Sequence, residues 1–221
     1  MTIEMVAFDV AGTVVNDDGV VIAAFEEAFQ KSEPELWPTH GAHWTQYAIE
    51  TMGQSKIEVF THLLKDKDKA ERANQAFEES YLHAMARDGA EPIAGAEEIF
   101  RHLRTEDIPV VLTTGFSRAT LDSLISQLGW EGLITFSVTP SEVERGRPYP
   151  DMLQRAAQQL GVANPLETIV IGDTSSDMQS GVAFGAGQIV GVLTGAHDEF
   201  TLRIAGATTI VNSVADLRTL V

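Results

Sequence analysis

The sequence predicts an α/β protein: a doubly wound, Rossmann-like parallel sheet with a helical cap inserted after the first strand. Three observations predict it. Residues 5–8, 108–113, 134–138, 168–171 and 189–193 are short, near-continuous apolar runs, the pattern of strands buried on both faces. From residue 92 onward these runs alternate with segments of helical spacing, which implies a parallel sheet with helices on both faces. Between about residues 20 and 87 the spacing is helical and no convincing strand occurs.

Taken in order, the first strand runs into Asp9-Val10-Ala11-Gly12-Thr13, and Asn16-Asp17-Asp18-Gly19 follows as a polar turn cluster. Residues 23–29 and 56–64 carry apolar side chains at helical spacing, and 69–85 is a long run of good helix formers. That is enough for a small bundle. Asp88-Gly89-Ala90-Glu91-Pro92 is a second linker, which returns the chain to the core. Helices are expected over 96–103, 118–128, 150–160 and 176–184, the third opening on Pro150. The division is therefore a core of residues 1–16 and 92–221 and a cap of residues 17–91.

Composition narrows the function. The formal net charge is −17, from 32 acidic against 15 basic residues, which argues against a nucleic-acid groove or an anionic membrane as partner. Anion binding must then be local, through metal, backbone amides and a few placed cations. The chain has no cysteine, so disulfides, thiolate metal sites and cysteine nucleophiles are excluded. No signal-peptide pattern and no apolar run of bilayer length is evident, and the expected location is the cytoplasm.

Asp9 stands where the first strand gives way to a loop, at the ligand-binding edge of an open sheet. Gly12 permits a positive φ, so neighbouring amides can converge as an anion nest. A carboxylate nucleophile beside such a nest suits phosphoryl transfer, although Asp-x-x-Gly-Thr alone equally suits a plain strand-to-turn junction. Val110-Val111-Leu112-Thr113-Thr114-Gly115 ends a second strand; Thr114 either donates to a phosphoryl oxygen or merely closes the strand. Gly146-Arg147-Pro148-Tyr149-Pro150 holds an arginine in a stiff turn, as a surface residue or as a guanidinium offsetting Asp9 and phosphate. Ile169 to Asp177 brings Asp173 and Asp177 one helical turn apart. With Asp9 they make three converging acids, a costly arrangement without a cation. Oxygen ligands select a hard divalent ion, here expected to be Mg2+. Asp177 by itself also reads as an ordinary helix N-terminal acid. The four segments in this order, each at a strand's C-terminal end, are specific as a set.

Together these segments resemble the haloacid dehalogenase (HAD) superfamily, and the insertion looks like its first cap type. The resemblance covers essentially the whole chain. It implies that Asp9 attacks phosphorus to form an aspartyl phosphate, that Thr114 binds the phosphoryl group, and that Arg147 takes the place of the usual lysine or arginine. It also implies Mg2+ held by Asp9, the Ala11 carbonyl and Asp173, with Asp177 ligating directly or through water. A true dehalogenase is disfavoured, because metal-binding acids and a nest are of little use to carbon–halogen displacement. Ala11 departs from most phosphatases of the superfamily, which carry a second aspartate there as general acid and base; a methyl group cannot transfer a proton.

Asp-x-Ala-Gly-Thr, Thr-Thr-Gly before the aromatic Phe116, and Gly-Arg-Pro-Tyr-Pro are similar instead to the phosphonoacetaldehyde hydrolases (phosphonatases). A P–C bond breaks heterolytically only if the carbon leaving group is stabilised, and a lysine condensed with a neighbouring aldehyde supplies an iminium electron sink. Met52-Gly53-Gln54-Ser55-Lys56 matches the Met-Gly-x-x-Lys motif of that family and puts Lys56 at the imine-forming position; the bland alternative is a solvated lysine opening a cap helix. The family's histidine three residues further on, which serves proton transfer, is Val59 here. His40, His43 and His62 lie nearby in sequence, and nothing there turns them toward the site.

The expected function is Mg2+-dependent cleavage of a small organophosphorus substrate, phosphonoacetaldehyde or a related phosphonate, through phosphorylated Asp9. Ala11, Gly12, Met52, Gly53, Gly115 and Phe116 are expected to contact substrate. Phosphomonoester hydrolysis and a non-catalytic phosphate-binding or regulatory role are the alternatives. The resemblance also implies a homodimer through the cap, and a cap hinging near 16–19 and 88–92.

Overall fold

Six strands form one sheet in a computed structural model that describes residues 2–219. They are β1 (Met5–Phe8), β2 (Val110–Thr113), β3 (Phe136–Val138), β4 (Thr168–Gly172), β5 (Gln188–Val192) and β6 (Thr209–Val211). Their order is β3-β2-β1-β4-β5-β6, and every pairing is parallel. Alternate residues feed two cores. Val6, Phe8, Val110, Leu112, Ile169 and Ile171 pack with Ile99, Phe100 and Leu103 of α5 (Ala96–Thr105) and Leu121 and Leu124 of α6 (Arg118–Leu128). Met5, Ala7, Val111 and Val170 face Met152, Leu153 and Ala156 of α7 (Asp151–Leu160) on the other side. Burial on both faces explains why the strands read as apolar runs.

Between β1 and α5 lie four helices: α1 (Val20–Ser32), α2 (Trp37–Glu50), α3 (Lys56–Leu64) and α4 (Lys67–Asp88). They share an aromatic core, with Phe25 4.8 Å from both Phe60 and Phe77, ring centre to ring centre, and Phe29 4.5 Å from Trp44. The two connections to these helices run side by side. Asn16 N–H donates to the Glu91 carbonyl at 2.8 Å, and Ile93 N–H to the Val14 carbonyl at 2.9 Å.

Several boundaries differ from expectation for identifiable reasons. The second strand begins at Val110, not 108, because Pro109 has no N–H for the ladder. The third begins at Phe136, since residues 133 and 134 are taken up in a turn whose amides reach the Trp130 carbonyl. α4 starts at Lys67 because the Asp66 carboxylate caps it, accepting from Lys69 N at 3.0 Å. α2 was not separable within the helical region by its spacing, and α9 (Glu199–Ala205) and β6 were not anticipated. Seven and three residues are too few for a period to emerge. Among the described residues no helix is long and apolar enough to cross a membrane.

Candidate active site

The sheet order reverses at β1. The chain runs outward through β2 and β3, then returns to β4 on the other flank of β1. A crevice opens outside the C-terminal strand ends at such a switch point, and three junctions deliver side chains to it. Asp9 follows β1, Thr114 follows β2 and Asp173 follows β4. Asp177 joins them from α8 (Ser175–Phe184), and carboxylate oxygens of Asp9, Asp173 and Asp177 all lie within 4.8 Å of one another.

Arg147 is buried among these acids, 2% exposed, with Nη2 2.7 Å from Asp9 Oδ1 and an ion pair to Asp177. The surface alternative for this arginine is thereby excluded. The Thr13 hydroxyl donates to Asp173 Oδ1 at 3.0 Å, and Ala196 N–H donates to Asp173 Oδ2 at 2.8 Å. Asp177 is also a helix acid: it completes a capping box with Thr174, whose N–H donates to Oδ2 at 3.0 Å. Both readings of Asp177 hold together. Gly12 has φ +82°, and a Cβ there would lie 2.6 Å from Asp173 Oδ2. Only glycine allows the loop this close to the carboxylate.

One guanidinium cannot neutralise three buried carboxylates. Burial first, and then the charge of Asp9, push the Asp173 carboxyl up to about 7. The donor set, all oxygen and net negative, fits a hard divalent cation. Ala11 lines the same cavity. Thr114 is buried there too; its oxygen accepts from Phe116 N–H at 3.2 Å, and its own proton is left to donate.

Residues 52–55, between α2 and α3, close over the crevice. The Ser176 hydroxyl donates to the Met52 carbonyl at 3.0 Å. A Cβ on Gly53 would lie 2.3 Å from Thr174 Oγ1, and one on Gly115 would lie 2.6 Å from the Gln54 carbonyl oxygen. The two glycines are thus points where backbone passes against backbone or side chain, as well as parts of the cavity wall. Lys56 follows at the start of α3. It is only 6% exposed, with Nζ 5.7 Å from the ring centres of Phe25 and Phe116 and 6.0 Å from that of Phe77. The solvated alternative is therefore wrong: Phe25 and Phe77 of the helical insertion and Phe116 after β2 surround this amine. Desolvation, then the Arg147 charge, bring its pKa down to about 8, against the opposing pull of Asp9 and Asp17.

The cavity offers about 40 Å³, room for a few waters and so for a group of phosphate size. Every residue expected at the site lines it except Asp177, which pairs with Arg147 and adjoins the other two acids. Its wall also includes Asp17, Val21, Thr174, Gly195 and Ala196, which sequence reasoning missed. The run Leu193-Thr194-Gly195 after β5 has the same hydroxyl-and-glycine ending as the other junctions and was the available signal. Asp17 carried none, since an acid in an Asn-Asp-Asp-Gly cluster reads as a turn residue. The histidines are elsewhere. His40 stacks on Trp44 and His62 on Tyr47, and neither they nor His43 line the cavity, while Val59 is buried among apolar side chains.

Two further contacts tie the helical insertion to the sheet domain. Glu78 of α4 accepts from Ser117 N–H at 3.2 Å, from Ser117 Oγ at 2.8 Å and from the Thr120 hydroxyl, at the start of α6. His197 Nδ1 accepts from Ser175 N–H at 2.8 Å, and its ring also hydrogen-bonds the backbone of Ile49. Glu78→Ala removes an acceptor for three donors, a loss of about 1–3 kcal/mol. The expected result is faster proteolysis at residues 16–19 and 88–92, read by timed digestion, with the sheet domain intact.

A family model for haloacid dehalogenase-like hydrolases matches residues 3–185. A phosphonoacetaldehyde hydrolase of Bacillus cereus (strain B4264) is 32% identical over 216 residues, 90% of this chain and 78% of the relative. The bifunctional riboflavin kinase/FMN phosphatase of Arabidopsis thaliana is 28% identical over 96% of this chain, which spans about half, 54%, of that relative's length. Among solved structures, a hydrolase from Pseudomonas syringae superposes with a TM-score of 0.84 at 25% identity, over 98% of this chain and 96% of that one. The phosphonoacetaldehyde hydrolase-like protein of Oleispira antarctica matches at 0.84 and 24% identity, over 100% and 91%, a likeness of fold. With a sheet-edge acid cluster and an α/β core matched over most of its length, this chain is a hydrolase that belongs to the haloacid dehalogenase-like family.

Proposed function

We propose that this hydrolase cleaves the P–C bond of phosphonoacetaldehyde or a closely related phosphonate, with Asp9 as nucleophile and Lys56 as imine-forming amine. The observation that carries the reading is Lys56 itself, a buried amine with its pKa near 8 in the wall of the cavity that holds Asp9. An amine in that range is available unprotonated near neutral pH, as imine formation requires. Ala11 supports it, since no acid stands there to protonate an ester oxygen. A relative that is 32% identical is a phosphonoacetaldehyde hydrolase.

In this reading residues 17–91 act as a cap that closes on substrate and excludes water. Asp9 attacks phosphorus and carries the phosphoryl group as an aspartyl phosphate. Arg147 and Thr114 hold the phosphoryl oxygens, the first by charge and the second by its free proton. Met52, Gly53 and Phe116 shape the space on the carbon side. Asp9, Asp173, Asp177 and the Ala11 carbonyl would hold Mg2+, which supplies charge neutralisation between the acids and the phosphoryl group.

The test is phosphate release from phosphonoacetaldehyde with Mg2+, for the wild type and Lys56→Arg side by side. The expected result is release that rises with pH toward about 8, as Lys56 loses its proton, and that falls at least 100-fold in the variant. Phosphate-ester turnover that survives Lys56→Arg, with no release from the phosphonate, would instead establish the phosphomonoesterase reading. Val59, buried and standing at the sequence position where the resembled family carries its histidine, and the phosphatase relative are what favour that second reading. A non-catalytic binding protein would turn over neither substrate.

A further inference from the structure

If Lys56 forms an imine, a proton must leave its ammonium and a proton must reach the departing carbonyl oxygen. The closed cap leaves little water to do this. Of the ionisable groups in the cavity wall, Asp9 and Arg147 pair with each other, and Asp173 is held by Thr13 and Ala196. Lys56 and Asp17 remain. Asp17 is placed with care. It sits at the mouth of α1, where Val21 N–H donates to its Oδ1 at 3.0 Å and Gly19 N–H also bonds the carboxylate. Asp18 and Gly19 both take positive φ to make that turn, 43° and 80°, and α1 carries Phe25, one of the rings around the Lys56 amine.

We propose that Asp17 is the proton-transfer group for Lys56, taking over work that no histidine of this cap is placed to do. The proposal rests on the imine reading above. The Asp17 carboxylate takes a proton from the Lys56 ammonium. The freed amine forms a C–N bond to the aldehyde carbon as the C–O π pair moves to oxygen. An N–H proton passes to that oxygen; the proton held by Asp17 then joins it, the C–O bond breaks, and water leaves. The nitrogen pair closes the iminium, and Asp17 is a carboxylate again, so charge and atoms balance. Two properties suit it to this work. Burial raises the Asp17 carboxyl above the usual aspartate range, toward its amine partner. Tyr81, whose buried hydroxyl has no hydrogen-bond partner among the described residues, feels the charges of Asp17 and Asp9, and burial first, then those charges, keep it protonated and neutral.

The experiment compares wild type, Asp17→Asn and Asp17→Glu with phosphonoacetaldehyde and Mg2+. Imine is read by borohydride trapping and mass spectrometry of Lys56, and turnover by phosphate release across pH. As a control, beryllium fluoride with Mg2+ should raise the melting temperature of all three proteins equally, reporting an intact fold and Asp9 site. The expected result for Asp17→Asn is trapping and kcat slowed on the order of 100-fold with one limb of the pH profile lost, and partial recovery in Asp17→Glu. Wild-type rates and an unchanged profile in Asp17→Asn would overturn the role of Asp17 alone. No trappable adduct in the wild type would overturn it together with the imine reading.

Discussion

Asp9→Asn should reduce turnover by on the order of 10⁴-fold or more, because in the proposed reaction it removes the attacking oxygen rather than an interaction around it. The fold should survive. Asp9 is one of two causes holding the Asp173 carboxyl up to about 7. A carboxyl raised above its unfolded value costs stability as pH climbs from the unfolded pKa through the folded one. Neutralising Asp9 lowers that folded pKa and relieves the cost at neutral pH. Arg147 keeps its ion pair with Asp177, and the asparagine oxygen can still accept from it. The melting temperature of metal-free Asp9→Asn is therefore expected at or above that of wild type at pH 7.5. The gain that wild type shows with Mg2+ and beryllium fluoride should vanish. Scanning calorimetry with and without the two ligands reads both effects; an inactive variant that also melts well below wild type would point to a structural role for Asp9.

The second large effect is opposite in kind. Arg147→Met replaces a buried guanidinium with a side chain of similar length and no charge. It leaves Asp9 and Asp177 without their cation, in a place 2% exposed or nearly so. Removing one partner of a buried pair costs about 3–5 kcal/mol, and for a domain of this size roughly 10 °C or more in melting temperature. The loss should be largest at alkaline pH, where all three acids are ionised, and should shrink on acidification as they take up protons. Mg2+ should recover part of the stability but not the activity, because phosphate is still without its fixed cation. Arg147→Lys keeps the charge and loses the fork, so stability should return further than kcat does. Melting curves at pH 5.5 and 8.5 with the three proteins decide it.

Asp9 was visible in the sequence because it stands at the end of a recognisable local pattern, whereas Arg147 lies in a turn well beyond the end of β3 at Val138 and stood out only as one of four segments in a fixed order. A run of apolar residues becomes a strand, the strand ends, and the side chain after it stands at the ligand edge; that places Asp9, Thr114 and Asp173, while their chemistry was legible only from the segments taken as a set. The helical nature of residues 20–87 was legible for the same reason, as spacing survives without knowledge of neighbours. Where the local signal was short it failed. β6 and α9 went unseen, and the turn containing Asp17 read as punctuation.

Lys56 marks the boundary between the two kinds of information. Its motif placed it at the start of a cap helix, where a lysine is ordinarily wet. Its burial comes from Phe25 and Phe77 in other helices and Phe116 in the sheet domain, and its lowered pKa from that desolvation and from Arg147. Those neighbours are tens of residues away along the chain. By itself, the sequence determined the α/β class, the helical insertion and the acids at the strand ends, since each follows from residues adjacent in the chain. Only the tertiary structure decided that Lys56 is dry, that Asp17 shares its cavity and that the 52–55 loop lies closed over Asp9. Desolvation and Coulomb fields depend on distance in space, and the chain sets that distance only once it has folded.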